Sequence, residues 1–169
     1  FVAVGESGNI VRSTDNGSSF DNVTSPTANR LNEVTFGNNT FMAVGDSGNI
    51  VRSTDNGSTW DNVTSPTTNR VYDPTFGNNT FVAVGYHGTI IRSTDNGTTW
   101  DNATDDISSW DNATNKHLWN VAFGNNTFVA VYGYSGDIIR STDNGSSWDN
   151  ATTDNSTNTI LWGVAFGNN

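Results

Sequence analysis

The chain has 169 residues, enough for one domain with a hydrophobic core, and carries a formal net charge of -10. Seventeen Asp and Glu against seven Lys and Arg would repel a phosphate backbone or an anionic bilayer, so nucleic acid and membrane surfaces are excluded as partners. No cysteine is present, which rules out disulfides and thiolate metal sites, and no apolar run approaches the ~18 residues of a membrane-spanning helix.

The chain opens at Phe1 inside a strand-like motif, without an initiator Met or a signal peptide, and is expected to be an excised piece of a longer polypeptide. Alignment on the Phe-x-Ala-Val motif divides it into four repeats, 1–40, 41–80, 81–127 and 128–169. A period near ~40 built of short strands predicts propeller blades. In the second repeat the expected order is a strand at Phe41-Met42-Ala43-Val44, a turn at Gly45-Asp46-Ser47-Gly48, and a strand at Asn49-Ile50-Val51-Arg52. A polar turn follows, then strands at Trp60-Asp61-Asn62-Val63-Thr64 and Val71-Tyr72-Asp73-Pro74-Thr75-Phe76, ending in Gly77-Asn78-Asn79-Thr80. Helices would need apolar residues three and four apart over ten or more positions, and Gly, Asn-Gly and Ser-Thr-Asp clusters interrupt every run. The predicted class is all-β. The pairs Ile10-Val11, Ile50-Val51, Ile90-Ile91 and Ile138-Ile139 read as middle strands covered on both faces.

The most repeated stretch is Ser53-Thr54-Asp55-Asn56-Gly57-Ser58-Thr59-Trp60, with close copies at 13–20, 93–100 and 141–148. Asp-Asn-Gly between apolar runs is a strong hairpin signal. Gly57 can take positive φ, Asp55 can accept hydrogen bonds from the amides of the turn, Ser53 can support the loop, and Trp60 can fold back beneath it. The pattern Ser-x-Asp-x-Gly-x-x-Trp resembles the Asp-box or BNR repeat of sialidases, sortilin-type receptors and photosystem II stability/assembly factor-like proteins. The resemblance implies a β-propeller of four-stranded antiparallel blades, in which the box residues have a structural role away from the ligand face. Those residues are Asp15, Gly17, Asp55, Gly57, Trp60, Asp95, Gly97, Trp100, Asp143, Gly145 and Trp148; Phe20 stands in the Trp position of the first copy.

The N-terminus lacks the innermost strand of its blade, and an unpartnered one, Leu161-Trp162-Gly163-Val164-Ala165-Phe166, stands at the C-terminus. The expectation is a ring sealed by pairing this segment with the N-terminal strands, which removes free edges. The alternative is exchange of terminal strands with neighbours to give a larger dimeric ring or a polymer. The third repeat is lengthened over Asp105 to Thr114, where Ser108 to Thr114 repeats word for word at Ser146 to Thr152, and reads as an enlarged inter-blade loop.

Sialidase chemistry would need an arginine triad, a Tyr–Glu nucleophile pair and an Asp acid. Arg12, Arg52, Arg92 and Arg140 all occupy one repeat position and are better explained as structural, pairing with an Asp or a loop carbonyl; Arg30 and Arg70 are the others. No enzyme activity and no catalytic residue are expected. No cofactor is expected either; calcium, if bound, would sit at Asp105-Asp106, and His87 and His117 alone make a poor zinc site. In a propeller the turns between second and third strands and the inter-blade connections share one face around the channel. There the blades differ: Glu6, Asp46, Tyr86, His87 and Tyr134 form one ring, and Arg30, Arg70 and His117 another. These eight are the candidate ligand-face residues, although drift at tolerant positions gives the same pattern. Trp119 and Trp162, matching Asn32 and Tyr72, are expected to pack between blades. Among many Asn-x-Ser/Thr sequons, Asn22, Asn62, Asn102 and Asn150 fall on outer strands and are candidate glycosylation sites. With a surface of Asn, Thr, Ser, Asp and Gly, the chain reads as an extracellular or cell-surface module binding a glycan or protein, or as a structural subunit joined by strand exchange.

Overall fold

The computed structural model describes residues 1–103, 117–133, 136–151 and 160–167. Short antiparallel strands succeed one another along the chain in four groups. The first sheet holds β1 (Val2–Val4), β2 (Ile10–Arg12) and β3 (Asp21–Val23). The second holds β4 (Leu31–Gly37), β5 (Thr40–Gly45), β6 (Ile50–Ser53) and β7 (Asp61–Val63). The third comprises β8 (Val71–Gly77), β9 (Thr80–Gly85), β10 (Ile90–Ser93) and β11 (Asp101–Asn102). The fourth comprises β12 (Leu118–Gly124), β13 (Thr127–Tyr132), β14 (Ile138–Ser141) and β15 (Asp149–Asn150). Each sheet is a meander, so each is the four-stranded blade expected from the repeat, except the first, which has three strands.

Sheet stacking explains the β-branched pairs. Ile50 points into a core with Met42, Val44, Val71, Phe81 and Trp100, whereas its neighbour Val51 points the other way, to Ile10, Leu31, Ala43 and Trp60. Successive residues of a middle strand thus feed two cores, and each fully buried aliphatic side chain contributes about 1.5–3 kcal/mol. Along the inner strands a Phe of each blade lies on a Gly of the blade before it: Phe76 on Gly37, Phe123 on Gly77 and Phe166 on Gly124. A methyl group at Gly77 would run into the Phe123 ring, so the close approach requires glycine there.

Pairing of the N-terminal strands with the C-terminal segment, expected to seal the ring, is not seen among the described residues. Among the described residues β1 pairs only with β2, and no hydrogen bond joins it to 160–167. Segment 161–167 lies beside β12, where the Val164 amide donates to Asn120 Oδ1 (2.8 Å) and Phe166 rests on Gly124. Phe1 is 71% exposed and Trp162 65% exposed. The enlarged loop of the third repeat and the calcium candidates Asp105 and Asp106 lie outside the described residues.

Candidate functional site

The repeated turn is built in the same way four times. In the second copy Asn56 and Gly57 both have positive φ (61° and 81°), a turn whose twist suits a tight hairpin. Asp55 Oδ1 accepts from the Ser53 hydroxyl (2.9 Å) and the Thr59 amide (2.9 Å), Oδ2 accepts from the Thr59 hydroxyl (2.6 Å), and Ser53 Oγ accepts from the Gly57 amide (2.9 Å). Trp60 folds back to donate to the Gly57 carbonyl (3.2 Å), as Trp100 and Trp148 do to Gly97 and Gly145. Asp15, Asp95 and Asp143 make equivalent bonds. At Asp15 and Asp55 the Ser19 and Thr59 hydroxyls hold the carboxyl at about 2. At Asp95 and Asp143 partial burial pushes upward, but hydrogen bonds led by Thr99 and Ser147 outweigh it, leaving about 2. Both oxygens of each carboxylate accept hydrogen bonds from within the turn itself.

The repeated arginines lock blades together. Arg12, Arg52 and Arg92 each donate to a carbonyl in the next blade's turn, Asn56 (2.7 Å), Asn96 (2.9 Å) and Asn144 (3.3 Å) respectively. This is the loop-carbonyl role expected for them. A cleft of about 560 Å³ lined by Arg12, Asp21, Asn22, Ser58 and Trp60 opens on the same outer rim of the first two blades.

On the opposite side, the two rings of variable residues meet in pairs across blade junctions. Glu6 of the first blade faces Arg30 before the second (3.4 Å), and both side chains are largely exposed. Asp46 of the second takes two contacts from Arg70 before the third, 2.6 Å from Nε and 2.9 Å from Nη2. At the third junction the ion pair is replaced. Tyr86 stacks on His117 (centroids 4.2 Å) and on His87 (3.8 Å), and the His87 amide donates to His117 Nδ1 (3.2 Å). Burial first, then the neighbouring His87, holds the His117 imidazole below its ordinary value, which favours the neutral ring in the stack. Tyr134, the remaining candidate, lies outside the described residues.

Next to this cluster an aromatic row runs across the inner strands. Tyr72 stacks on Trp119 at 4.6 Å, Trp119 packs at 5.2 Å against Trp162, and His117 meets Trp119 edge-on at 6.2 Å. The expected inter-blade packing of Trp119 is therefore present, while Trp162 keeps most of its surface open. At the equivalent place in the second blade Asn32 instead donates to the Val71 carbonyl (2.7 Å).

One residue of this region was not singled out from sequence. Asp73 sits at a bulge in β8 and reaches the next blade, where its Oδ2 accepts from Asn120 Nδ2 (2.6 Å) and the Val121 amide (2.8 Å). Burial pushes its carboxyl up to about 7; the Val121 bond opposes the shift and the Glu33 charge adds to it. Asn120 makes the same reach to Val164. Glu33 has no such partner, because Pro74 occupies the place of the amide it would meet, and it accepts from Val34 instead (3.1 Å). The signal lay in the series Glu33, Asp73, Asn120 and Gly163 at one repeat position. Among the described residues no cluster of three or more His, Asp or Glu side chains could hold a metal ion. Asn22, Asn62, Asn102 and Asn150 are all exposed, though Asn62 and Asn102 spend their amides on the Pro26 and Pro66 carbonyls.

The DUF6242 beta propeller domain matches residues 1–115, and the chain belongs to that family. No curated protein sequence matches it. Among solved structures it is similar to YCF48 bound to D1 peptide, with a TM-score of 0.70 and 20% identity over 98% of this chain and 53% of that one. An ancestral GH74 enzyme superposes with a TM-score of 0.67 and 20% identity over 94% of this chain and 26% of that one. A nidogen/laminin complex chain gives 0.68 and 10%, over 95% and 61%. The chain thus spans about half the length of the YCF48 chain it matches, and these likenesses are of fold.

Proposed function

We propose that this DUF6242-type propeller is a non-enzymatic binding module that receives an extended protein segment on its junction face, over Tyr72, Tyr86, His117, Trp119 and Trp162. The observation that carries the reading is the third junction. There a stacked Tyr–His cluster replaces the carboxylate–arginine pairs of the first two and continues directly into the aromatic row. Stacked rings offer broad contact area at little conformational cost, and the half-exposed Tyr86 and open Trp162 give a ligand access to it. The net charge of -10 and the open rings favour a segment presenting Lys or Arg beside an aromatic or Pro residue, with cation–π contacts to those rings. YCF48 was solved with a D1 peptide and nidogen with laminin, which supports a protein rather than a sugar as the ligand. An extracellular or cell-surface setting accords with the lysine-poor, hydroxyl- and amide-rich surface.

No residue is assigned a catalytic role. Asp73, the carboxyl with the most shifted titration, is tied between blades by two hydrogen bonds to one oxygen, which suits a strut rather than a proton carrier. The test is an anisotropy titration of extended Lys/Arg-aromatic peptides against the intact chain and Tyr86→Ala, with a glycan array run in parallel. Peptide binding that weakens at least tenfold in Tyr86→Ala and is unchanged in Arg30→Ala supports the reading. Binding confined to sugars, or indifferent to Tyr86, overturns it.

A further inference from the structure

Resting on the binding role given above to the aromatic row, we propose that Asp73 is the row's positioning residue: its carboxyl ties β8 to β12 and thereby sets the Tyr72–Trp119 stack.

Tyr72 and Trp119 stand at the same point of their strands, and that point is a bulge. Val71 lies opposite Gly85 and Asp73 opposite Val84, so Tyr72 is the extra residue of β8. Leu118 lies opposite Tyr132 and Asn120 opposite Val131, which makes Trp119 the extra residue of β12. A bulged residue has no partner across the ladder, so the ladder does not fix where its side chain points. Trp119 has no hydrogen bond of its own to supply that direction: its indole N–H is buried against Gly133 and meets no acceptor among the described residues. Strands β8 and β12 belong to different sheets, so no backbone ladder joins them either. Asp73 does join them, through the bonds of its Oδ2 to Asn120 Nδ2 (2.6 Å) and the Val121 amide (2.8 Å). Asp73 directly follows Tyr72, and Asn120 directly follows Trp119. The contact that spaces the two strands therefore lies one residue from the 4.6 Å ring stack.

At the other inner-strand junctions, strut and ring pair are present together or absent together. Asn120 repeats the reach, to the Val164 amide, and beside it Trp119 packs on Trp162. Between β4 and β8 Pro74 offers no amide to Glu33, and the bulged residue before Glu33 is Asn32 rather than a ring.

The strut carries a titrating proton. Burial first pushes the Asp73 carboxyl up to about 7, with the Val121 bond opposing the shift and the Glu33 charge adding to it. The charged groups around it are few. β4 brings Glu33, the turn at 46–48 brings Asp46 with its partner Arg70, and Tyr72 is the other titratable residue of β8; β5, β9 and β12 contain none, and His117 precedes β12. Protonated, Asp73 accepts both bonds at Oδ2 with its proton on the other oxygen. Ionised, it carries a charge that burial disfavours, and it gains by moving toward water, away from Asn120 and Val121. The row is held best below about pH 7.

The experiment uses the 169-residue chain labelled with fluorotryptophan, in which the fluorine resonance that Trp119→Phe removes belongs to Trp119. That resonance is followed from about pH 5.5 to about pH 8.5 in the parent, Asp73→Asn and Asp73→Ala, each checked for folding by circular dichroism. In the parent it should move with a midpoint near 7. In Asp73→Asn, which keeps a carbonyl acceptor for Val121 but no charge, that step should vanish, and movement that remains belongs to His117, 6.2 Å from Trp119. In Asp73→Ala the resonance should stand at a new position throughout. In a parallel anisotropy titration with Lys/Arg-aromatic peptides, the affinity of the parent relative to Asp73→Asn should fall at least threefold from about pH 6 to about pH 8. A Trp119 resonance that titrates in Asp73→Asn as in the parent, or that a folded Asp73→Ala leaves unmoved, overturns the positioning role. If Asp73→Ala does not fold, the comparison with Asp73→Asn decides. A parent that binds no peptide overturns the binding reading and not the strut, which the fluorine resonance tests without a ligand. An affinity ratio that stays level with pH while the peptide binds also overturns the role of Asp73 in setting the row for binding.

Discussion

The two faces of this molecule obey different rules although the same strands connect them. On the turn side, Asp15, Asp55, Asp95 and Asp143 hold nearly superposable hydrogen-bond sets, each closed by a Ser hydroxyl below and a Ser or Thr hydroxyl above. On the junction side, equivalent places carry Glu6–Arg30, Asp46–Arg70 and then Tyr86–His117, three answers to one steric problem. The turn side repeats because its first Ser, its Asp and its second Ser or Thr satisfy one another, and a change at one leaves another unsatisfied. The junction side varies because its pairs are exposed, where an ion pair and a ring stack contribute similar small amounts. Chemistry specific to this protein is therefore expected on the second face.

The largest expected effect tests whether the repeats are energetically alike. Trp100 is buried, donates to Gly97 and lies 6.4 Å from Phe81, so Trp100→Ala should cost about 3–5 kcal/mol in chemical denaturation. Phe20→Ala, at the same repeat position on the open end, should cost less than about 1 kcal/mol in the monomer. Equal losses would mean that the first blade is covered in solution. Ser93→Ala comes next: its hydroxyl bridges the Gly97 amide and Asp95, and losing it strands a buried N–H, for about 1–3 kcal/mol. If Ser93→Ala were neutral, the turn would not owe its sameness to mutual satisfaction.

How legible these two faces were in the sequence follows from the same contrast. The turn could be read residue by residue, since Ser53, Asp55, Gly57 and Trp60 satisfy one another within eight positions and their roles follow from local geometry. Strand order was equally readable, because Ile-Val pairs and Asn-Asn or Asn-Gly turns alternate at fixed spacing. The variable residues were found as two separate rings; that Asp46 meets Arg70 depends on how far adjacent blades rotate, which no local pattern encodes. Asp73 was passed over for a related reason. Its partner, the Val121 amide, is 48 residues away. The missing inner strand of the first blade and the extra one at the C-terminus were legible as repeat positions, but whether they pair depends on how the blades curve round, which no local pattern encodes, and the described residues do not show that pairing.

A pH titration separates the two faces with effects of intermediate size. The turn aspartates titrate near 2, below their unfolded value of 3.8, so their contribution is complete above about pH 4 and is lost as pH falls toward 2. Asp73 runs the opposite way. Its folded value near 7 exceeds 3.8, so the protonated form favours folding, and stability from this residue falls as pH rises from about 4 through 7. Asp73→Asn, which keeps an acceptor for Val121 as Asn120 does for Val164, should raise stability at pH 8 by about 1–2 kcal/mol and flatten the profile between pH 4 and 7. A profile unchanged by the substitution would show that the Asp73 charge is solvated.

The smallest effect is the most informative about the junction face. Arg70→Ala removes the contacts to Asp46, but both side chains are partly exposed, so the cost should be only about 0.2–1 kcal/mol and should shrink further in ~1 M salt. Grafting the third junction onto the second, as Asp46→Tyr with Arg70→His, should be tolerated within about 1 kcal/mol, since Tyr86 and His117 already occupy that geometry one blade later. The graft places a second ring pair beside Tyr72, and if the Tyr–His stack is what a peptide recognises, affinity should rise several-fold while stability barely moves. A graft that folds but leaves peptide affinity unchanged would place recognition on the Trp119–Trp162 row rather than on the junction, a distinction that the single variants do not make.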